Sequence, residues 1–361
     1  MLALANRGRF DFVAPDGQFK RSPSILKESL VKRVAAKLFH SSHRLPGIAA
    51  AVALALGIQG VAQAQAQETK VTIAISGWTG FAPLTLAKEA GLFKKQGLDV
   101  TIKKIPQKDR HLAIASGDVQ CAATTVETWV AWNANGVATT QIFQLDKSFG
   151  ADGMVVKGGI QKIADLKGKT VAASAPGTAP YFTLAWMLKK NGLSLKDVSI
   201  VSLEPQAAAN AMIAGTANLD AAMTYEPYLS AVRAKPEAGR IIATTLDYPM
   251  VMDTFGCTPK FLADNPKAAK GLADGYFEAL DLIKNDAKKS FEIMGADVKQ
   301  SGEQFEGSQK YLRWQDREAN RKFFASEHAA FSREAADLLL EAGIIRQIPD
   351  LSKLADTRFL Q

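Results

Sequence analysis

Four short stretches combine residue types able to hold a small polar molecule. Ser76-Gly77-Trp78-Thr79-Gly80-Phe81 sets two flat side chains, Trp78 and Phe81, in a turn with two glycines, and Thr79 adds a hydroxyl. An exposed indole can stack on a planar group or cover a cation. Thr124-Thr125-Val126-Glu127 puts two hydroxyls at the opening of a helix, where unpaired backbone amides favour an anion. Glu127 suits either a first-turn cap or ligand contact. Ser174-Ala175-Pro176-Gly177-Thr178 precedes the strongest helical stretch of the chain. Gly177 permits close backbone approach there, and Ser174 and Thr178 supply hydroxyls for a phosphate, sulfonate or carboxylate. Thr224-Tyr225-Glu226-Pro227-Tyr228 follows an apolar run, with Pro227 suited to the first turn of a helix. Tyr225 and Glu226 then face the same crevice. Asp253 falls where the chain recrosses between two halves, and Glu226 with Asp253 can neutralise a cationic group. Each of these acids equally suits a cap or a solvated surface.

Covalent catalysis has little to work with. No phosphate-binding Walker loop, G-x-G-x-x-G turn or G-x-S-x-G elbow occurs. Of four histidines, His40 and His43 lie near the N-terminus, leaving His111 and His328. That is too few, and too scattered, for zinc spacing. Two cysteines, Cys121 and Cys257, make neither a disulfide framework nor a four-thiolate site. Cys121, in an apolar run, reads as an inert small hydrophobe. No catalytic residue, metal or cofactor is expected.

The elements that must carry the four stretches are legible from periodicity. After Lys70, short apolar runs alternate with amphipathic stretches, which predicts an α/β fold with largely parallel sheet. Strands are expected at 71–76, 98–105, 119–123, 140–145, 153–156, 170–173, 198–202, 219–224 and 241–245. Helices fall between them, and 265 onward reads as almost wholly helical. The polar stretches sit at the carboxyl ends of strands, which line the ligand crevice of open α/β sheets.

The chain has 361 residues, a formal charge of +8, 47% hydrophobic and 22% charged residues. These values suit a folded chain of two domains or one bilobal domain. Residues 1–66 hold nine bases and three acids, a net of +6, leaving +2 on the remainder. Within them the uncharged run 47–61 is too short to span a membrane. Basic residues precede it and Ala62-Gln63-Ala64-Gln65-Ala66 follows, the pattern of a secretory signal peptide cleaved after Ala64 or Ala66. The basic stretch ahead of the run is longer than a signal needs, so a translation start near Leu30 or Val31 is expected. With its charge in the leader, the body implies no nucleic-acid or membrane partner.

Gly77–Val100 (GWTGFAPLTLAKEAGLFKKQGLDV) resembles the opening of the nitrate/sulfonate/taurine-type periplasmic solute-binding proteins of ABC importers. Three further segments match in order: Ala115–Thr125, Ile163–Thr178 with D-L-K-G-K-T-V, and Asp220–Tyr228 with Tyr225 at the usual aromatic place of D-A-x-x-x-W-E-P. The resemblance implies a bilobal periplasmic-binding type II fold with two parallel-type sheet lobes, a hinge and a helical C-terminal region. Lobe 1 is then 67–152 plus 254–361, and lobe 2 is 153–253. It further implies a monomer in the periplasm, a small-molecule ligand, and a permease driven by a cytoplasmic ATPase. The residues expected to touch the ligand, read from the four stretches and the recrossing, are Trp78, Thr79, Phe81, Thr124, Thr125, Glu127, Ser174, Gly177, Thr178, Tyr225, Glu226 and Asp253. Acids beside anion-binding loops favour a zwitterion such as taurine, or a cationic nitrogen compound, over nitrate. Two alternatives keep the same fold: a pyrimidine-precursor synthase-like enzyme and a periplasmic ligand sensor.

Overall fold

A computed structural model describes residues 68–361; the leader, its apolar run and the expected cleavage site lie outside the described residues. Eleven strands run in chain order: β1 (Thr69–Ile75), β2 (Leu98–Lys104), β3 (Cys121–Thr125), β4 (Thr140–Ser148), β5 (Asp152–Val156), β6 (Thr170–Ala173), β7 (Ser199–Ser202), β8 (Ala221–Tyr225), β9 (Arg240–Thr244), β10 (Met252–Cys257) and β11 (Leu312–Trp314). The helices used below are α1 (Ala82–Glu89), α2 (Gln107–Ala115), α3 (Val126–Ala134), α4 (Ala179–Lys190), α5 (Pro205–Ile213), α6 (Tyr228–Arg233), α7 (Pro266–Asn285), α8 (Ala287–Asp297), α9 (Gly302–Gln309) and α10 (His328–Glu341).

The strands form two sheets, one per lobe, in the orders β11-β4-β10-β3-β1-β2 and β7-β6-β8-β5-β9. Each has a parallel half, β2-β1-β3 in one and β7-β6-β8 in the other. Each also has an inserted antiparallel strand: β10 between β3 and β4, and β5 between β8 and β9. The sheets are therefore mixed rather than uniformly parallel. Strand β10 falls outside the expected strands because its sequence, MDTFGC, hides the usual signal. It is buried on both faces, so it shows no alternation. Gly256 weakens its strand propensity yet is required. A Cβ there would lie 2.8 Å from the Thr140 carbonyl oxygen and 3.1 Å from the Trp129 ring.

The same strand corrects the reading of the cysteines. Cys121 and Cys257 face each other across the antiparallel β3–β10 pair and form a disulfide. Both are fully buried. With β10 unseen, nothing in the sequence brought Cys257 beside Cys121.

One apolar core lies between the six-stranded sheet and α1 and α7. Phe143 stacks on Phe255 at 4.9 Å and on Tyr276 at 5.1 Å at its centre. Such rings contribute roughly 1.5–3 kcal/mol each by burial. A second core joins Met154, Val171, Phe182 and Met223 from the five-stranded sheet and α4. Helix α10 adds Phe331, Ala335, Leu338 and Leu339 to it, a stripe at helical spacing. Val126, Val130 and Ala131 of α3 join the same core, so α10 packs on α3 and reaches from there toward α4. The other face of the five-stranded sheet is covered by α5 and α6 through Ala208, Met212, Leu229 and Val232.

Two short crossings join the sheets, residues 149–151 and 245–251, and they are laced together. The Gly150 N–H donates to Thr245 Oγ1 at 2.8 Å, and the Thr245 and Ser148 hydroxyls bond at 2.6 Å. The Thr245 N–H donates to the Asp152 carbonyl at 3.0 Å.

Candidate functional site

The carboxyl ends of β1, β3 and β8 meet at a buried cavity of about 20 Å³ between the sheets. Trp78 and Phe81 reach it from the turn after β1, Thr125 from the end of β3, Tyr225 from the end of β8, and Asp253 from β10. Gln107 and Arg110 reach it from α2, and Asp152 from the start of β5. Trp78 is nearly buried, and Tyr225 meets it edge-on at 5.3 Å. Its indole N–H donates to both carboxylate oxygens of Asp146 at 3.3 Å. Asp146, near the end of β4, pairs with Asp253 across the antiparallel β4–β10 ladder.

Arg110 is 1% exposed. Its Nε donates to the Ile105 carbonyl at 2.9 Å and its Nη1 to the Ala123 carbonyl, and its guanidinium sits 5.8 Å from the Phe81 ring centroid. Its Nη2 donates to no group among the described residues. Burial pulls the guanidinium down to about 10, against the opposing pull of Tyr225, Asp253 and Glu204, so it stays cationic at neutral pH. Gln107 lies one turn earlier on the same helix face. Its Nε2 donates to the Thr124 and Thr128 hydroxyls at 2.7 and 2.9 Å. Its Oε1 accepts the Ala179 N–H at the start of α4 at 3.1 Å.

Carboxylates crowd the same place. Burial pushes Glu127 up to about 8, Asp146 to about 8 and Asp152 to about 7. Asp253 is driven well above the usual carboxylate range by burial and by Asp146, Asp152 and Glu127 beside it. Neither oxygen of Glu127 has a hydrogen-bond partner, and Asp152 Oδ2 has none. An isolated buried carboxylate avoids its charge by holding a proton.

Of the twelve residues expected to touch a solute, Trp78, Phe81, Thr125, Tyr225 and Asp253 line this cavity. Thr79 is buried beside it, and its N–H donates to the Glu226 carbonyl at 3.4 Å. Thr124 is occupied by Gln107, and Glu127 stands at the first turn of α3. The loop before α4 turns inward on itself. Ser174 donates to Glu204 at 2.6 Å, Thr178 to the Ala175 carbonyl at 2.7 Å, and Gly177 holds the turn at φ +82°. Glu226 was expected to face the solute. Instead its carboxylate takes Arg233 and the Ser230 N–H, so its charge is already balanced within the lobe.

Arg110, Gln107, Asp146 and Asp152 were not anticipated. Their signals were faint: Gln107 and Arg110 share a helix face at three-residue spacing, and Asp146 and Asp152 flank the first crossing. A wider groove of about 880 Å³ opens past Gly77 and Tyr228, between α5–α6 and α8–α9. Its Lys104 pairs with Asp297 at 2.6 Å and its Arg233 with Glu226. Gln206, Asn210, Lys299 and Gln300 also line it, and Gln300 Oε1 has no hydrogen-bond partner.

A family model described as NMT1/THI5 like matches residues 78–289. The chain belongs to the NMT1/THI5-like family. The taurine-binding periplasmic protein of Escherichia coli K12 is 29% identical to this NMT1/THI5-like chain over 222 residues, 60% of this chain and 67% of that one. The alkanesulfonate-binding protein SsuA from Xanthomonas axonopodis pv. citri, bound to MOPS, matches with TM-score 0.69 at 17% identity, covering 80% of this chain and 98% of that one. The periplasmic nitrate-binding protein NrtA from Synechocystis PCC 6803 matches with TM-score 0.65 at 18% identity, covering 81% and 86%. The expected bilobal α/β fold is therefore the fold observed, and the relatives named above are themselves binding proteins. No helix among the described residues is long and apolar enough to cross a membrane.

Proposed function

We propose that this chain is the extracytoplasmic solute-binding component of an ABC importer. It captures a small taurine-like, sulfonate or nitrogen-containing solute between two lobes and presents it, as a monomer, to a permease coupled to a cytoplasmic ATPase. In this reading residues 67–152 plus 254–361 form one lobe and 153–253 the other, behind a leader (1–66) removed on export. The observation that carries the reading is the buried cavity at facing strand ends, with one guanidinium and several carboxylates converging between the sheets. At about 20 Å³ it has room for roughly one water. Solute entry therefore requires the lobes to part about the laced crossings, a hinge motion. The buried Cys121–Cys257 disulfide fits an oxidising compartment outside the cytoplasm.

The balance of charge favours a zwitterion or a cation over a bare anion such as nitrate. Arg110 suits an anionic group, and the carboxylates suit a cationic nitrogen. A thermal-shift panel on the exported chain, with taurine, alkanesulfonates, nitrate, guanidinium, urea and pyrimidines, tests this. A hundredfold excess over Kd stabilises by about 2.7 kcal/mol, a shift of several degrees. A shift with taurine or guanidinium supports the reading. A flat response to the whole panel overturns it.

A further inference from the structure

Deepening the reading just given, and resting on it, we infer that Glu127, Asp146, Asp152 and Asp253 form a proton-exchanging cation subsite, so that capture of a nitrogen compound of net positive charge releases protons to solvent.

Geometry carries the inference. The four carboxyls come from the first turn of α3, the end of β4, the start of β5 and β10, and none is more than 3% exposed. Two of them, Asp152 and Asp253, line the cavity directly. Donors within the protein are too few. Asp146 receives the Trp78 indole, Glu127 receives nothing on either oxygen, and Asp152 Oδ2 receives nothing. Arg110, 1% exposed, is the cation that lines the cavity with them, and its Nη2 is uncommitted.

The remaining charged and titratable groups around the cluster bring no compensating positive charge. Tyr225 faces it from β8, and the Tyr276 hydroxyl of α7 donates to the Leu145 carbonyl. Glu226 is consumed by Arg233, and Glu204 by Ser174. Four ionised carboxylates against one guanidinium would leave three uncompensated negative charges out of water. The solute-free cluster therefore holds protons, consistent with the upward displacement of all four groups by burial. An incoming ammonium or guanidinium supplies both the missing donors and the missing charge. The carboxyls then ionise, and their protons leave to the buffer. No bond other than O–H is broken.

The test is calorimetric titration of the exported chain with taurine, with guanidinium and with ethanesulfonate, in buffers of different protonation enthalpy. Release of about one proton per guanidinium near neutral pH is expected, with affinity rising about tenfold per pH unit until the cluster is ionised, and none per taurine, whose sulfonate brings its own negative charge to Arg110. Asp152→Asn and Glu127→Gln should reduce the proton count, while a single cooperative melt at or above the unaltered protein's temperature shows that the fold persists. A residue with a purely structural role would not move that count. Binding of guanidinium with buffer-independent heat and pH-independent affinity overturns proton exchange and leaves the solute-binding reading standing. Ethanesulfonate binding as tightly as taurine overturns the cation subsite. Failure of all three to bind overturns the small zwitterion or cation reading together with the inference built on it.

Discussion

Arg110 joins two tasks that a single substitution can separate. Two of its nitrogens tie the Ile105 and Ala123 carbonyls together, and the third is uncommitted at the cavity. A lysine ammonium lacks the fork needed to serve both carbonyls. Arg110→Lys should therefore cost about 1–3 kcal/mol in chemical denaturation, and weaken solute binding at least about tenfold by calorimetry. The carboxyl cluster makes a separate prediction for the solute-free protein. Groups raised by burial favour the folded state while protonated. Their contribution is complete below about pH 4, the unfolded range, and is lost as pH rises through about 7 to 8. The melting temperature should fall by several degrees between about pH 5 and about pH 8.5. A rise over that interval would contradict the placement of these groups. Arg110 was hidden from the sequence because a basic residue in a short amphipathic helix reads as solvated surface. Only the fold turns that face of α2 toward β3.

At the scale of elements, the strands of ordinary composition were legible. Thr170–Ala173 was expected at the bounds observed, and Leu98–Lys104 alternates with one face buried, as its period of two demands. The parallel β1-β2 and β6-β7 pairs follow from such runs with helices between them. What stayed hidden was β10, with an acid, a glycine and no alternation, and with it the disulfide and the antiparallel ladder that sets Asp253 beside Asp146. Burial on both faces erases the pattern that reading depends on. Close approach of elements is similarly silent in sequence. Gly275 of α7 lies so near Phe93 that a Cβ would fall 2.6 Å from its Cδ1. Gly275→Ala, favourable for an isolated helix, should destabilise the protein by about 1–3 kcal/mol through overpacking, read as a lower denaturation midpoint with an unchanged slope.

For the whole molecule, the two crossings decide how the lobes move. Thr245 accepts the Gly150 N–H and bonds Ser148, locking one crossing to the other. Thr245→Val leaves that amide without its partner, at a cost of about 1–3 kcal/mol. It should also lower solute affinity although every cavity residue is intact, because closure is no longer held. Small-angle scattering would show the effect as a smaller contraction on adding solute than the unaltered protein gives. An identical contraction would place the hinge elsewhere.

The Cys121–Cys257 bond spans 136 residues, and all of β5 to β9 lies between its ends. The second lobe's sheet, with both crossings, is thus one covalent ring closed on the first lobe. A protease that cuts once anywhere inside that ring opens the circle but yields no second molecule. On a denaturing gel the nicked chain travels as a single species until a reductant is added, when it parts into two. Both sulfurs are buried, so an oxidant or reductant reaches them only while β3 and β10 are apart, during folding or in a local opening.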